Sequence, residues 1–108
     1  MEKKIELVIK KILFNEYPYL IDVYVEDRHL HGKKSHMGYV YECYFKTDKC
    51  LDEQESMEID SEVKSLYKMI SPIKNRYDEI RRIYCFFDCG DGNGYQFKST
   101  LEYRVNNM

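Results

Sequence analysis

Ile83-Tyr84-Cys85-Phe86-Phe87-Asp88-Cys89, then Gly90-Asp91-Gly92-Asn93-Gly94, then Tyr95-Gln96-Phe97-Lys98-Ser99-Thr100-Leu101-Glu102-Tyr103-Arg104-Val105: the fold is decided by how this stretch is read. Its second arm alternates. Tyr95, Phe97, Leu101, Tyr103 and Val105 share one face with Ser99, while Gln96, Lys98, Thr100, Glu102 and Arg104 take the other. A period of two means a strand with one buried and one wet face. The first arm is apolar on both faces, with Ile83, Cys85 and Phe87 on one and Tyr84 and Phe86 on the other, as an interior strand would be. Gly90, Gly92 and Gly94 supply the positive φ that a reversal needs. Ile83 to Val105 is therefore expected to be a β-hairpin. A lone hairpin is marginal in water, so the rest of the chain must pack on it.

Working outward from that hairpin, the segment before it reads as a helix. Val63, Leu66, Tyr67 and Ile70 make an inner stripe, and Asp60 or Ser61 is placed to cap it. Ser71-Pro72 interrupts, since a proline inside a helix removes a hydrogen bond and clashes one turn back. Ile73, Tyr77 and Ile80 continue the stripe, so a bent helix ending near Arg82 is expected. A short strand is expected at Glu55–Ile59. Tyr39–Thr47 reads as a strand with Tyr39, Tyr41, Cys43 and Phe45 on one face, and Tyr19–Glu26 as another, with Tyr19, Ile21, Val23 and Val25 together. A polar loop, Asp27–Gly38, joins these two strands as an antiparallel pair. The chain opens on a helix from about Glu2 to Glu16, where Ile5, Val8, Ile9, Ile12 and Leu13 form the stripe. Pro18 ends that helix. The order α-β-β-(β)-α-β-β predicts one α+β domain over residues 1–108. It would have two layers: an antiparallel sheet of four to five strands, with two helices on one face.

Bulk properties narrow the function. A charged fraction of 33% and a hydrophobic fraction of 44% are those of an ordinary globular domain. No apolar run approaches the ~20 residues of a membrane span. Met1-Glu2-Lys3-Lys4 leads into an amphipathic segment rather than a signal peptide, so the expected location is cytoplasmic. A net charge of −2 argues against direct nucleic-acid binding. Tyrosine is abundant, at 11 residues, and suits half-buried sheet faces and contact surfaces.

Four cysteines and three histidines raise a metal or redox question. Cys85 and Cys89, four apart on one strand, would lie roughly 13 Å apart, too far for one zinc unless Cys89 belongs to the turn. Cys43 is inside a strand and Cys50 is isolated beyond it. In a reducing compartment such residues are expected to be inert thiols rather than a disulfide. His29, His31 and His36 share one polar loop and are expected to be solvated. Asp88, Asp91 and Asn93 lack the twelve-residue calcium loop with its terminal glutamate. Gly90-x-Gly92-x-Gly94 is not a phosphate cradle, because no helix follows it. No nucleophile elbow or convergent catalytic set is visible, so neither an enzyme nor a bound metal or cofactor is expected.

The acidic run differs. Asp52, Glu53, Glu55, Glu58, Asp60 and Glu62 occur with no lysine or arginine among them. A helix N-terminus explains Asp60 and Glu62. Ahead of the expected helix, Asp52, Glu53, Glu55 and Glu58 form a patch of one sign, able to steer a basic partner.

The layout also resembles a known family. An N-terminal amphipathic helix leads into Leu20-Ile-Asp-Val-Tyr-Val25. The aromatic strand Tyr39-Val-Tyr-Glu-Cys-Tyr-Phe45 follows, and then an acidic lead into a helix centred on Leu66-Tyr67 and ending Tyr77-Asp-Glu-Ile-Arg-Arg82. A closing hairpin ends in Leu101-Glu-Tyr103. This is similar to the YezG-type immunity proteins of bacterial polymorphic toxin systems. The resemblance implies a cytoplasmic antitoxin without catalysis. Such a protein binds a cognate toxin domain, often a nuclease, and occludes its active site. Glu53, Glu55, Glu58, Asp60 and Glu62 are then the expected partner-binding residues. The alternative is a small Cys/His metal-binding protein or enzyme using Cys85, Cys89 and the loop histidines.

Overall fold

The computed structural model describes residues 2–27, 40–70 and 82–97. Their order is α1 (Glu2–Glu16), β1 (Leu20–Asp27), β2 (Val40–Thr47), α2 (Glu53–Ile70), β3 (Arg82–Asp88) and β4 (Gln96–Phe97). The histidine loop, the helix bend at Ser71-Pro72 and the hairpin arm beyond Phe97 lie outside the described residues.

The fold is α+β, but the sheet is mixed. Strand order is β1-β2-β3-β4, and β2 pairs with β3 in parallel. This overturns the antiparallel sheet expected from the sequence. A parallel neighbour requires a crossover connection, and α2 lies within the one that joins β2 to β3. β1 pairs antiparallel with β2, as expected. The reversal at Gly90–Gly94 also forms: Phe86 faces Phe97 and Phe87 faces Gln96, with all three glycines at positive φ of 73–90°.

One face of the sheet is buried. Val23 and Val25 of β1, Tyr41, Cys43 and Phe45 of β2, and Ile83, Cys85 and Phe87 of β3 join a single cluster with Ile5, Ile9 and Leu13 of α1 and Ile59, Val63, Leu66 and Tyr67 of α2. Phe45 and Phe87 stack at 5.3 Å, and Tyr41 meets Tyr67 edge-on at 5.6 Å. Such ring pairs add about 0.5–1.5 kcal/mol beyond the area they bury. The opposite face carries a second aromatic row. Tyr44 stacks on Phe86 at 5.0 Å and takes Tyr24 and Tyr95 on its flanks.

Two local features depart from simple periodicity. In β1 a bulge falls between Leu20 and Asp22, where Leu20 faces Thr47 and Asp22 faces Lys46. The extra residue turns Ile21 outward and Leu20 inward, reversing the faces that alternation assigns to them. The outer edge of β1 is also blocked. The Val25 amide donates to Glu6 of α1 (3.0 Å) and the Val23 amide to Asp22 (2.9 Å). Occupied edge donors leave less of a template for strand addition.

The second feature is the start of α2. The strand expected at Glu55–Ile59 and the helix start expected at Asp60 are both overturned, because the helix begins at Glu53. Asp52 caps it: its carboxylate accepts from the Glu55 amide (2.8 Å), and Glu55 in turn accepts from the Asp52 amide (3.1 Å). This is a reciprocal capping box. The buried stripe begins a turn earlier than apolar residues alone suggest, at Ser56, Ile59 and Asp60. Replacing Asp52 by alanine is expected to lower stability by about 1 kcal/mol, the usual worth of an N-cap, in urea denaturation. An unchanged midpoint would place the true helix start further along the chain.

Candidate partner-binding face

Because α2 starts at Glu53, its acidic residues are distributed by helical geometry. Glu53, Gln54, Met57, Glu58, Ser61 and Glu62 fall on one side of the helix, away from the buried Ser56, Ile59, Asp60 and Val63. With Tyr17, from the turn between α1 and β1, they line an open groove of about 650 Å³. Tyr17 is set there by the end of α1. Its amide donates to Leu13 (2.8 Å), and its carbonyl accepts from Leu20 (3.0 Å) on the far side of Pro18.

The five expected partner-binding residues do not act alike. Glu53, Glu58 and Glu62 line the groove. Glu55 does not. One of its oxygens completes the capping box and the other pairs with Lys49, whose ammonium lies 4.7 Å from the centre of the Tyr19 ring. The Lys49 hydrogen bond holds the Glu55 carboxyl below its ordinary range. Asp60 is fully buried and bonds to Lys64 at 2.5 Å, one helical turn on. It serves the core, and its expected role in surface charge complementarity is withdrawn. Sequence reasoning missed Tyr17; its place beside Pro18, at the end of a helix, was the available signal.

The ordinary causes of an acidic helix start account for part of this charge. Cap and macrodipole explain Asp52, Glu53 and Glu55, since the dipole's influence fades within the first turn. Glu58 and Glu62 lie beyond it. Their field reaches Tyr17: burial raises its phenol pKa first, and the Glu62 and Glu58 charges raise it further. Tyr19 is pushed up to about 12, chiefly by burial and then by Glu55.

The cysteines are placed differently from expectation. Cys50 and Cys89 form a disulfide with Cα atoms 4.9 Å apart, which corrects the expectation of four thiols. Cys50 follows β2 and Cys89 follows β3, and parallel pairing brings these two strand ends side by side. Closing a loop 39 residues long is worth on the order of 4 kcal/mol if the effect is chain entropy. Cys43 and Cys85 are free, buried and opposite one another. Burial pushes the Cys85 thiol well above its usual pKa, and the hydrogen bond that this thiol donates to Cys43 acts in the same direction.

Tyr19 yields a pH prediction. Folded Tyr19 holds its proton to about pH 12, while in the unfolded chain it titrates near 10.0. The native state therefore binds more protons between those values, and stability falls as pH rises through that window. Tyr19→Phe is expected to flatten the decline in alkaline denaturation curves; an unaltered slope would refute the assignment. Compared with known family models, curated proteins and solved structures, the chain matches none.

Proposed function

We propose that this chain is an immunity protein that binds a cognate toxin domain of opposite charge, most simply a nuclease, and occludes its active site. The observation that carries the reading is the groove where Tyr17 stands against Glu53, Glu58 and Glu62. It combines a rigid aromatic of low entropy cost with two carboxylates, Glu58 and Glu62, that neither the cap nor the helix dipole requires. A dense patch of one sign steers association and rejects partners of like charge. A nuclease domain carries the matching positive cleft, because it must hold phosphates.

The resemblance to the YezG-type family supports the class of partner. In this reading the molecule is a two-layer domain acting in the bacterial cytoplasm, in a polymorphic toxin system of the contact-dependent inhibition kind. It acts as an inhibitor rather than as an enzyme.

The reading expects a toxin-like C-terminal domain to be encoded immediately upstream, and the test is calorimetric titration against it. A one-to-one complex of nanomolar Kd, ~12 kcal/mol, is expected. Glu53→Lys, Glu58→Lys and Glu62→Lys combined should slow association by about tenfold or more at low salt and flatten its salt dependence. Tight binding with an unchanged on-rate would move the interface elsewhere. A folded partner that gives no heat would end the immunity reading.

A further inference from the structure

We propose that Cys50, Cys89 and Asp91 form a redox-gated binding site for a thiophilic divalent cation of the zinc class. The three side chains each offer a ligand atom, and these atoms all lie within 4.8 Å of one another. Asp91 Oδ2 is 3.8 Å from Cys50 Sγ. A tetrahedral zinc with bonds of about 2.0–2.3 Å needs its ligand atoms about 3.5–3.8 Å apart, so modest separation of the two sulfurs completes the geometry. The Cα separation of 4.9 Å leaves room for it.

The carboxylate is held in position independently of the cysteines. Asp91 Oδ1 accepts from the Asn93 amide (3.0 Å) and Oδ2 from the Asn93 side chain (3.0 Å). Gly90 and Gly92, at φ of 78° and 90°, curl the chain so that Asp91 returns toward Cys50. Beside the cluster lies a cavity of about 50 Å³, which Thr47, Ser56 and Gln96 also line. It is roomy enough for one or a few waters, and Thr47, Ser56 and Gln96 give it polar groups beside the apolar Leu51 and Phe87, so a water can serve as fourth ligand. Three protein ligands and one water is the arrangement of an open zinc site. Two thiolates with one carboxylate favour zinc over magnesium or calcium.

The disulfide excludes the metal, because thiolates are the ligands. Two equivalents of a small thiol open the site. The first thiolate attacks the exposed Cys50 Sγ, breaks the Sγ–Sγ bond and forms a mixed disulfide, and Cys89 leaves as a thiolate. The second thiolate attacks the small-molecule sulfur of that mixed disulfide, which releases Cys50 as a thiolate and a small-molecule disulfide. Two electrons pass from the thiols to the protein. The freed thiolates take up two protons from solvent near neutral pH, and binding of the cation returns them, so affinity rises with pH.

The full chain is reduced without oxygen, freed of reductant and titrated with zinc ion against a chromophoric chelator. One equivalent per chain is expected, bound about a hundredfold or more tighter by the reduced than by the disulfide form. Cys50→Ser and Cys89→Ser should each abolish stoichiometric uptake, and Asp91→Asn should weaken it by about tenfold. Reduced wild type also lacks the cross-link, so it is the like-for-like reference for the serine variants, and circular dichroism verifies that all are folded. Cobalt in place of zinc should give thiolate charge-transfer bands. No uptake by the folded reduced protein overturns the proposal. Equal uptake after Cys50→Ser, equal uptake by the disulfide form, or an unaffected Asp91→Asn would do the same.

Discussion

The structure depends on the parallel pairing of β2 with β3. Seven residue pairs, from Val40–Arg82 to Lys46–Asp88, set the register. That register places Cys43 beside Cys85 and Phe45 beside Phe87 on the face that α2 covers. Parallel pairing also sends the carboxyl ends of both strands to one edge of the domain. There Cys50 meets Cys89, the glycine turn curls back, and α2 begins. Both the acidic groove and the cysteine-carboxylate cluster are built on the segments that leave those strand ends, where open parallel sheets commonly place their ligands.

Energetic scale separates the contributions. The buried cluster supplies the main driving force, since each large apolar side chain taken from water gives about 1.5–3 kcal/mol. The cross-link fastens the two strand ends at a value on the order of one or two such side chains. The capping box is worth less but decides where α2 starts, and hence which carboxylates reach solvent. The exposed Lys10–Asp22 pair at 3.6 Å contributes little at its screened position.

Much of this was legible in the sequence. The stripe through Ile5, Ile9 and Leu13, the alternation through Tyr41, Cys43 and Phe45, and the glycine-rich reversal each read as local periodicity and fold as read. What failed was of two kinds. Polar residues at buried positions hid structure: Ser56 and Asp60 sit on the inner stripe of α2, so an apolar pattern registers the helix only from Asp60 onward. The D-x-x-E of Asp52 and Glu55 was the overlooked signal. Long-range pairing was invisible in principle. Nothing in the spacing of Cys50 and Cys89 tells whether their strands run parallel, and Cys85 was weighed as the partner of Cys89 only because it is near in sequence. The bulge at Ile21 belongs with these, since a strand shows its extra residue only against its neighbour.

The most direct test of the parallel core is a nuclear Overhauser experiment on isotopically labelled protein, reading backbone contacts between β2 and β3. The parallel register predicts amide-to-Hα contacts linking the Val40 end of β2 to the Arg82 end of β3 and the Lys46 end to Asp88, with Cys43 level with Cys85 between them. Close Hα–Hα contacts joining Val40 to the Asp88 end would mean antiparallel strands. They would separate Cys50 from Cys89 and remove the common edge on which both sites stand.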